Sequence, residues 1–156
     1  MAEGEHTRLV AWAHELRAVH ARLREALGLV RTMVAGGDAD PAVMTDLLLF
    51  CRGFCTALTR HHEGEDRHLF PAIAAAHPEL EETLRKLSQD HSMMSHLIAG
   101  LEEASSRSAG RGEMHSHLEG LGAIMESHFR FEERALLEIL ATLDLAADPE
   151  EVLGPL

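Results

Sequence analysis

Apolar residues recur at alternating intervals of three and four residues along four stretches of the chain. This period is typical of amphipathic α-helices, each of which presents one apolar stripe to a core. Breaker segments rich in glycine, serine or proline separate the stretches at residues 35–41, 76–80 and 105–112. Helices of this kind with short connections pack most simply as an antiparallel bundle. The pattern therefore predicts an all-α, up-down-up-down four-helix bundle.

Polar residues interrupt the apolar stripe near the middle of each predicted helix. Every stripe contains a histidine, and the second and fourth also contain a glutamate. The stripes are Leu9, Ala13, Leu16, His20, Leu23, Leu27 and Val30; Leu47, Cys51, Phe54, Leu58, His61, Glu65, His68 and Ala72; Leu80, Leu84, Leu87, His91, Met94, Ile98 and Leu101; and Leu118, Leu121, Met125, His128, Glu132, Ala135 and Ile139. Because the stripes face a shared centre, the sequence predicts that these polar residues converge inside the bundle.

Two prolines mark the course of the second predicted helix. Asp40 fits an N-cap and Pro41 suits the first helical position, so the helix is expected to begin there. Pro71 has no N–H to donate to the carbonyl of Arg67, so a kink or a break is expected near it. Neither feature is expected to change the bundle.

The length of the chain suits one domain with one core. The prediction is a single domain over residues 1–156, with the bundle at about residues 8–145 and a C-terminal tail at 146–156. The tail contains two prolines, and it is expected to leave the bundle after Leu145.

The composition argues against several classes of function. A formal charge of -12 makes nucleic acid and anionic membrane surfaces poor partners, because both require a basic footprint. No apolar run approaches the ~20 residues that span a bilayer, and the N-terminus lacks the order of a secretory signal, so a cytoplasmic location is expected. The two cysteines, Cys51 and Cys55, are too few for a disulfide framework and are predicted to be buried thiols.

Histidine is unusually frequent, with 12 residues, and its placement indicates a metal site. A lone histidine on an apolar stripe is usually a satisfied core residue, but here every predicted helix has one. His61 with Glu65, and His128 with Glu132, have the i, i+4 spacing that places both side chains on one helix face. Burying their carboxylates is costly unless a cation compensates the charge. The predicted ligands are His20, His61, Glu65, His91, His128 and Glu132.

These donor types favour iron, with manganese or zinc as weaker alternatives. Six protein ligands cannot fill two octahedral ions, which together need up to about twelve positions. Glu65 and Glu132 are therefore expected to bridge two iron ions, together with an oxo or hydroxo group. At least one position stays open, and small molecules are expected to bind there.

The same residues carry a resemblance to a known family. His20, "HHEGE" from His61 to Glu65, His91 in "QDHSMM" and "HFRFE" from His128 to Glu132 follow the order H, HxxxE, H, HxxxE. Over about residues 8–145 the chain resembles the hemerythrin-like, or HHE cation-binding, family in its bacterial form. The resemblance implies a four-helix bundle with a carboxylate-bridged di-iron centre. Members of the family are known as oxygen carriers and sensors, as iron-responsive modules, and as proteins that react with peroxide or nitric oxide.

One position separates the chain from the oxygen carriers of that family. They have a histidine four residues after the third-helix ligand, where this chain has Ser95, and His96 is about 100° off the stripe. The resemblance then implies a poorer nitrogen set, an altered redox potential and a further open position. This favours reaction with peroxide or nitric oxide over oxygen storage. His68 lies on the predicted stripe and is a fifth imidazole ligand, a partner that orients a ligand, or a capped core histidine.

The other histidines are predicted to lie off the metal site. His14 competes with His20 for the first helix, but it falls off the stripe. His62 abuts the ligand stripe beside Glu63 and could orient a ligand, although exposure to solvent is favoured. The remaining histidines are expected at the surface or in loops: His6, His77, His96, His115 and His117.

Three functions are compatible with such a site. The first is a di-iron protein that binds or turns over hydrogen peroxide, nitric oxide or O2, as in a peroxide- or nitric-oxide-consuming enzyme with an unknown electron donor. The second is an iron or oxygen sensor that acts through a partner without turnover. The third is a bundle whose polar stripe binds zinc for structural purposes, or binds nothing.

Overall fold

The computed structural model describes residues 10–36 and 41–155 of the chain. No strand occurs in these two ranges, which confirms the all-α prediction. The helices are α1 (Trp12–Ala35), α2 (Pro41–Gly64), α3 (Phe70–Ala76), α4 (Glu81–Ser106), α5 (Arg111–Leu140) and α6 (Pro149–Leu153). A π-helical turn (Glu65–Leu69) joins α2 to α3, and a 3-10 turn (Pro78–Leu80) precedes α4. None of the helices in these ranges combines the length and the apolar content that a membrane crossing requires.

Four long helices, α1, α2, α4 and α5, surround the core. α1 packs against α2 and α5, and α4 packs against the same two helices. The contacts therefore close a ring around one interior, as expected for a helical bundle. The alternation of helix directions around this ring stays a prediction.

Residues of the predicted stripes fill that interior. Leu16, Leu23 and Val30 of α1 are buried, as are Leu87 and Leu101 of α4. Removing such a side chain from water contributes about 1.5–3 kcal/mol before the loss of conformational entropy is counted. The bundle is therefore stabilised by the same spacing that predicted it.

The C-terminal end of the α5 stripe differs from the prediction. Leu136 and Leu140 are buried, whereas the predicted Ala135 and Ile139 are half-buried. A strict alternation of three and four residues averages about 3.5 residues per turn, but a straight helix has about 3.6. The buried face therefore moves by one residue at this end of the helix.

The interruption expected near Pro71 is present as the π-helical turn between α2 and α3. The Phe70 N–H donates to the carbonyl of Glu65, five residues earlier, instead of to the residue four positions earlier. Pro71 follows in the first turn of α3, where it has no N–H to donate. A π-helical turn holds one residue more than an α-helical turn, so it changes which residues face the core.

The extra residue moves the buried face of the chain beyond Glu65. Leu69 and Ile73 are buried, while the predicted stripe residues His68 and Ala72 are exposed and half-buried. The prediction that His68 lies on the inward stripe is therefore wrong. The predicted spacing assumed an unbroken α-helix, which the π-helical turn interrupts.

The C-terminal tail packs against the bundle, so the prediction that it leaves the bundle is wrong. The carbonyl of Leu145 accepts the indole N–H of the buried Trp12 at 2.9 Å. α6 then packs on α1 and α2 and buries Val152 and Leu153. Pro149, one of the two prolines that suggested a free end, is instead the first residue of α6.

Two glycines allow the tail to approach α2 closely. A Cβ atom at Gly64 would lie 2.4 Å from the carbonyl oxygen of Val152. Gly154 has a φ of 90°, and a Cβ atom there would lie 2.9 Å from the backbone nitrogen of His61. The tail therefore lies directly on the backbone of α2, where no larger residue fits at these positions.

Some predictions concern positions outside the described residues. Leu9 and Asp40 fall there, as does the start of the bundle near residue 8. α2 does begin at Pro41, as predicted. The single domain over residues 1–156 stays a prediction.

Gly64→Ala is expected to lower the free energy of unfolding by about 1–3 kcal/mol, because the new methyl group would collide with the backbone of the tail. Gly53→Ala is the matched control on the same helix, with nothing within 4 Å of its Cβ position. It is expected to be neutral or to stabilise by up to about 1 kcal/mol, because alanine favours a helix. Urea unfolding followed by circular dichroism measures both changes. Equal stability of the two variants would contradict the close docking of the tail.

Candidate metal centre

Seven ionisable side chains are buried together in the interior of the described part of the bundle. The exposed fraction is 0% for His20, His61, Glu65 and Glu132, 2% for His128, 4% for His91 and 5% for His62. Each of the four long helices contributes at least one of them, and the π-helical turn contributes Glu65. Ionisable groups are seldom buried so completely without a partner, so the cluster requires a physical explanation.

The ligand atoms of these residues form two groups. The first group is His20, His61, Glu65 and Glu132, and the second is His62, Glu65, His91 and His128. Within each group the ligand atoms all lie within 4.8 Å of one another. Glu65 belongs to both groups, so the two are adjacent.

The two glutamates lie between the groups. Glu132 places Oε1 at 3.3 Å from Nε2 of His20 and Oε2 at 3.2 Å from Nε2 of His128. Glu65 places Oε1 at 3.4 Å from Nε2 of His61 and at 3.3 Å from Nε2 of His91. Each carboxylate thus reaches one histidine of either group, which is the placement that a bridging carboxylate needs.

Acceptors on neighbouring elements determine which ring nitrogen carries the proton. The Nδ1 atoms of His20, His61, His91 and His128 lie 3.3, 2.8, 2.9 and 3.0 Å from Glu133 Oε1, Leu153 O, Asp66 Oδ1 and Asp90 Oδ2, respectively. Because carboxylates and carbonyls accept hydrogen bonds, Nδ1 of each ring is the donor. Nε2 then presents a lone pair to the interior, as in histidines that bind metal ions.

These inward lone pairs lack partners in the chain itself. Nε2 of His91 and Nε2 of His128 face each other at 3.1 Å, although neither has a proton to donate when Nδ1 is the donor. Nε2 of His20, His61 and His62 and all four carboxylate oxygens of Glu65 and Glu132 have no hydrogen-bond partner. Each unsatisfied buried group costs about 1–3 kcal/mol. Cations between the two groups would satisfy all of these atoms, so the donor set fits a metal centre.

Burial sets the charges that the cluster would carry without a cation. Burial, followed by the neighbouring His20, lowers the pKa of His61 to about 3, and burial lowers the pKa of His62 well below its usual value. Burial and the negative charge of Glu132 raise the pKa of Glu65 well above its usual value. Burial opposes ionisation of Glu132 too, but its close contacts with Glu65 and with the imidazoles of His128 and His20 hold its pKa low. The metal-free carboxylates would therefore share a proton, whose place a cation can take.

A network of charged side chains outside the cluster holds the ring of His20 in place. Glu133 accepts hydrogen bonds from Nδ1 of His20 at 3.3 Å and from Nη2 of Arg24 at 3.2 Å. Arg24 also donates to Glu126 at 2.8 Å, and Phe129 stacks on the His20 ring with centroids 3.8 Å apart. The hydrogen bond from His20 is the main cause that lowers the pKa of Glu133 to about 2. Glu133 therefore stays ionised and keeps the protonated nitrogen of His20 outward.

A comparison with protein-family models matches residues 13–140 to the Hemerythrin HHE cation binding domain. The chain belongs to the hemerythrin HHE cation-binding family. A search of curated proteins and a search of solved structures each gave no significant match. The match confirms the family that the sequence resembled, while the bacterial form of its pattern stays a prediction.

All six histidines and glutamates predicted as ligands of this hemerythrin-family chain come together in the two donor groups: His20, His61, Glu65, His91, His128 and Glu132. The choice of His20 over His14 agrees with their burial, because His14 is exposed. The interior position of the cluster is thus as the stripes predicted. Which of these atoms bind metal stays a prediction.

Two histidines, His62 at the end of α2 and His68 in the π-helical turn, differ from the prediction. His62 is buried and belongs to the second donor group, so its predicted exposure to solvent is wrong. His68 is exposed and belongs to neither group, because the π-helical turn moves it off the inward face. The adjacent pair His61 and His62 was the available signal: residues about 100° apart on one helix can face two neighbouring groups.

The remaining histidines and the cysteines agree with the prediction where they are described. His96 and His115 are exposed, and His77 and His117 are half-buried, while His6 lies outside the described residues. Cys51 and Cys55 are buried free thiols. Burial raises the pKa of Cys51 to about 11 and that of Cys55 to about 12, so both thiols stay protonated at neutral pH.

Glu65→Gln is expected to stabilise the metal-free protein by about 1–3 kcal/mol, because it removes one acid from the buried pair. The same change should reduce metal binding, since an amide is a weaker ligand than a carboxylate. Glu63→Gln is the matched control, because Glu63 is exposed two residues away. Urea unfolding in the presence of a chelator measures stability, and mass spectrometry of metal content measures binding. A metal-free Glu65→Gln protein that is less stable than wild type would contradict the proposed cost of the acidic pair.

Proposed function

We propose that the cluster holds two iron ions and that a small diatomic or peroxidic molecule binds at them. The observation that carries this proposal is the position of Glu65 and Glu132, each within 3.5 Å of one histidine of either donor group. Two buried acids between two sets of inward imidazole lone pairs are an unfavourable arrangement unless cations lie among them.

The donor set supports iron and leaves positions for other ligands. One ion would be held by His20 and His61, the other by His91 and His128, with both glutamates between them. Nitrogen and carboxylate donors together suit non-haem iron. Six protein ligands leave positions for an oxo or hydroxo bridge and for an incoming molecule. A pair of iron ions would supply the site with a redox-active centre that binds O2, peroxide or nitric oxide.

A surface cavity of about 220 Å³ supports access by a small ligand. It is lined in part by His62 and His91 at the cluster and by Asp66 and Ser95 at the surface. Drug-sized ligands need cavities of about 300–1,000 Å³, so this one suits much smaller molecules. The apolar residues that we expect to wall the site are buried, and water does not reach them: Leu23, Phe54, Leu58, Met94 and Met125.

The cavity supports reaction with hydrogen peroxide or nitric oxide ahead of O2 storage, and hence a role in oxidative or nitrosative stress. Polar side chains contribute to its lining, among them Thr59, Asp66, Ser92 and Ser95, so water and protons can approach His62 and His91. Reversible storage requires a site closed against such access, which limits side reactions. The number of nitrogen donors does not support this preference over O2 storage, because the buried His62 supplies an additional imidazole in the second donor group.

A sensor function is the second candidate, and the hydrogen bond between His61 and the tail favours it. Nδ1 of His61 donates to the carbonyl of Leu153 at 2.8 Å, which connects the cluster to a surface helix. A change in the position of the His61 ring on metal loss or ligand binding would then alter how α6 docks. A partner that recognises α6 or the surface under it could respond to that change.

Protein purified without added metal is expected to contain about two iron ions per chain. His20→Ala is expected to reduce the iron content to one ion or none, because it removes a nitrogen donor from the first group. His14→Ala on the same helix is the matched control and should keep both ions, since His14 is exposed. Elemental mass spectrometry measures the content. A wild-type chain without transition metal, whose melting temperature is the same with and without chelator, would contradict the proposal.

Rapid mixing of the iron-loaded protein with hydrogen peroxide, nitric oxide and O2 in turn separates the two candidate functions. Turnover of peroxide or nitric oxide, measured by stopped-flow absorption, is expected for the first function. Absence of turnover, combined with faster proteolysis of the tail after metal removal or ligand binding, would instead support the sensor. If the experiments detect no turnover and no change at the tail, both candidates are contradicted.

A further inference from the structure

His62 is a buried histidine whose inward nitrogen has no partner in the chain. The side chain is 5% exposed, and its Nε2 accepts or donates no hydrogen bond. One of its ligand atoms lies within 4.8 Å of those of Glu65, His91 and His128. An unsatisfied buried imidazole nitrogen costs about 1–3 kcal/mol. The surrounding atoms are those that bind cations, so a cation is the partner that the site offers.

Packing holds the ring of His62 in a defined orientation. The ring stacks on that of His91, with centroids 4.0 Å apart and planes 13° apart. It also meets the His128 ring edge-on, with centroids 5.5 Å apart and planes 80° apart. These contacts restrict the ring, so it loses less entropy on binding an ion than an exposed histidine would.

The imidazoles of His62 and His91 both line the cavity beside the second donor group. Without His62, the imidazole of His91 would be left as the histidine donor on that side. Ser95 follows His91 by one turn on α4, is exposed, and has no nitrogen in its side chain. His62 lies on α2 and reaches the same side, because both residues line the 220 Å³ cavity. A ligand from α2 would therefore take the place that α4 leaves without a donor.

We propose that Nε2 of His62 binds the ion held by His91 and His128, so that this ion has three imidazole ligands and the other has two. The assignment rests on the proposed function, because it adds a ligand to the same centre. It makes position 62, and not position 68, the source of the fifth imidazole. It also places this more nitrogen-rich ion beside the cavity through which a small ligand enters.

His62→Phe tests the assignment, because it keeps an aromatic ring against His91 but removes the nitrogen. The expected result is a fall in metal content from about two ions per chain to about one, a larger loss than the roughly 10–100-fold weaker binding that follows removal of a group that only orients a ligand. His96→Phe is the matched control on α4 and should keep both ions, since His96 is exposed. His62→Cys restores a donor atom and should recover part of the binding.

The outcomes distinguish failure of the His62 assignment from failure of the proposed function. Two ions held with unchanged affinity in His62→Phe would overturn the role of His62 and leave the proposed function intact. A wild-type chain that binds no transition metal would overturn the proposed function, and the role of His62 with it.

A second measurement uses the wild-type protein and does not depend on the folding of any variant. In long-range nitrogen–proton NMR spectra of the zinc-loaded chain, the Nε2 resonance of His62 is expected at the position of a metal-bound nitrogen, together with the other four imidazoles. A His62 resonance that stays at its metal-free position would overturn the assignment.

Discussion

Two carboxylates and five imidazoles share an interior that leaves most of their inward atoms without hydrogen bonds. The inward nitrogens of His91 and His128 face each other at 3.1 Å, and no group of the chain separates them. An isolated buried carboxylate is among the most costly groups that a core can contain. Cations would satisfy all of these atoms at once, because every one of them offers a lone pair. The proposed metal ions therefore matter to the stability of the fold as well as to its chemistry.

The acceptors around the cluster connect this requirement to the packing of the helices. Asp66 in the π-helical turn orients His91 of α4, and Asp90 of α4 orients His128 of α5. In the same way Glu133 of α5 orients the α1 histidine, and the carbonyl of Leu153 in α6 orients the α2 histidine. Each ring is therefore fixed by an element other than its own. Correct packing of the helices and correct orientation of the donors are consequently the same condition.

The amino-acid sequence predicts the parts of this arrangement that depend on helical periodicity. The spacing that buries leucine also buries His20 or His128, so the six stripe residues of the cluster could be found without a structure. Periodicity alone does not decide whether His62 is buried: the pair His61 and His62 shows that two donor groups could be reached from one helix, but the burial of His62 depends on the width of the whole cluster. Nor can it predict the return of the tail, which depends on a close approach between Gly64 and Val152, residues far apart in the chain.

The π-helical turn is the most irregular part of the described fold, and it lies beside the cluster. Pro71 has no N–H with which to continue the regular hydrogen-bond pattern. The turn just before it, Glu65–Leu69, is π-helical and contains one extra residue. The same turn contains Glu65, which reaches both donor groups, and Asp66, which orients His91 on the neighbouring helix α4. Irregular turns of this kind frequently occur at functional sites. The exposure of His68 therefore follows from the local geometry that brings two useful carboxylates, one inward and one outward, to adjacent positions.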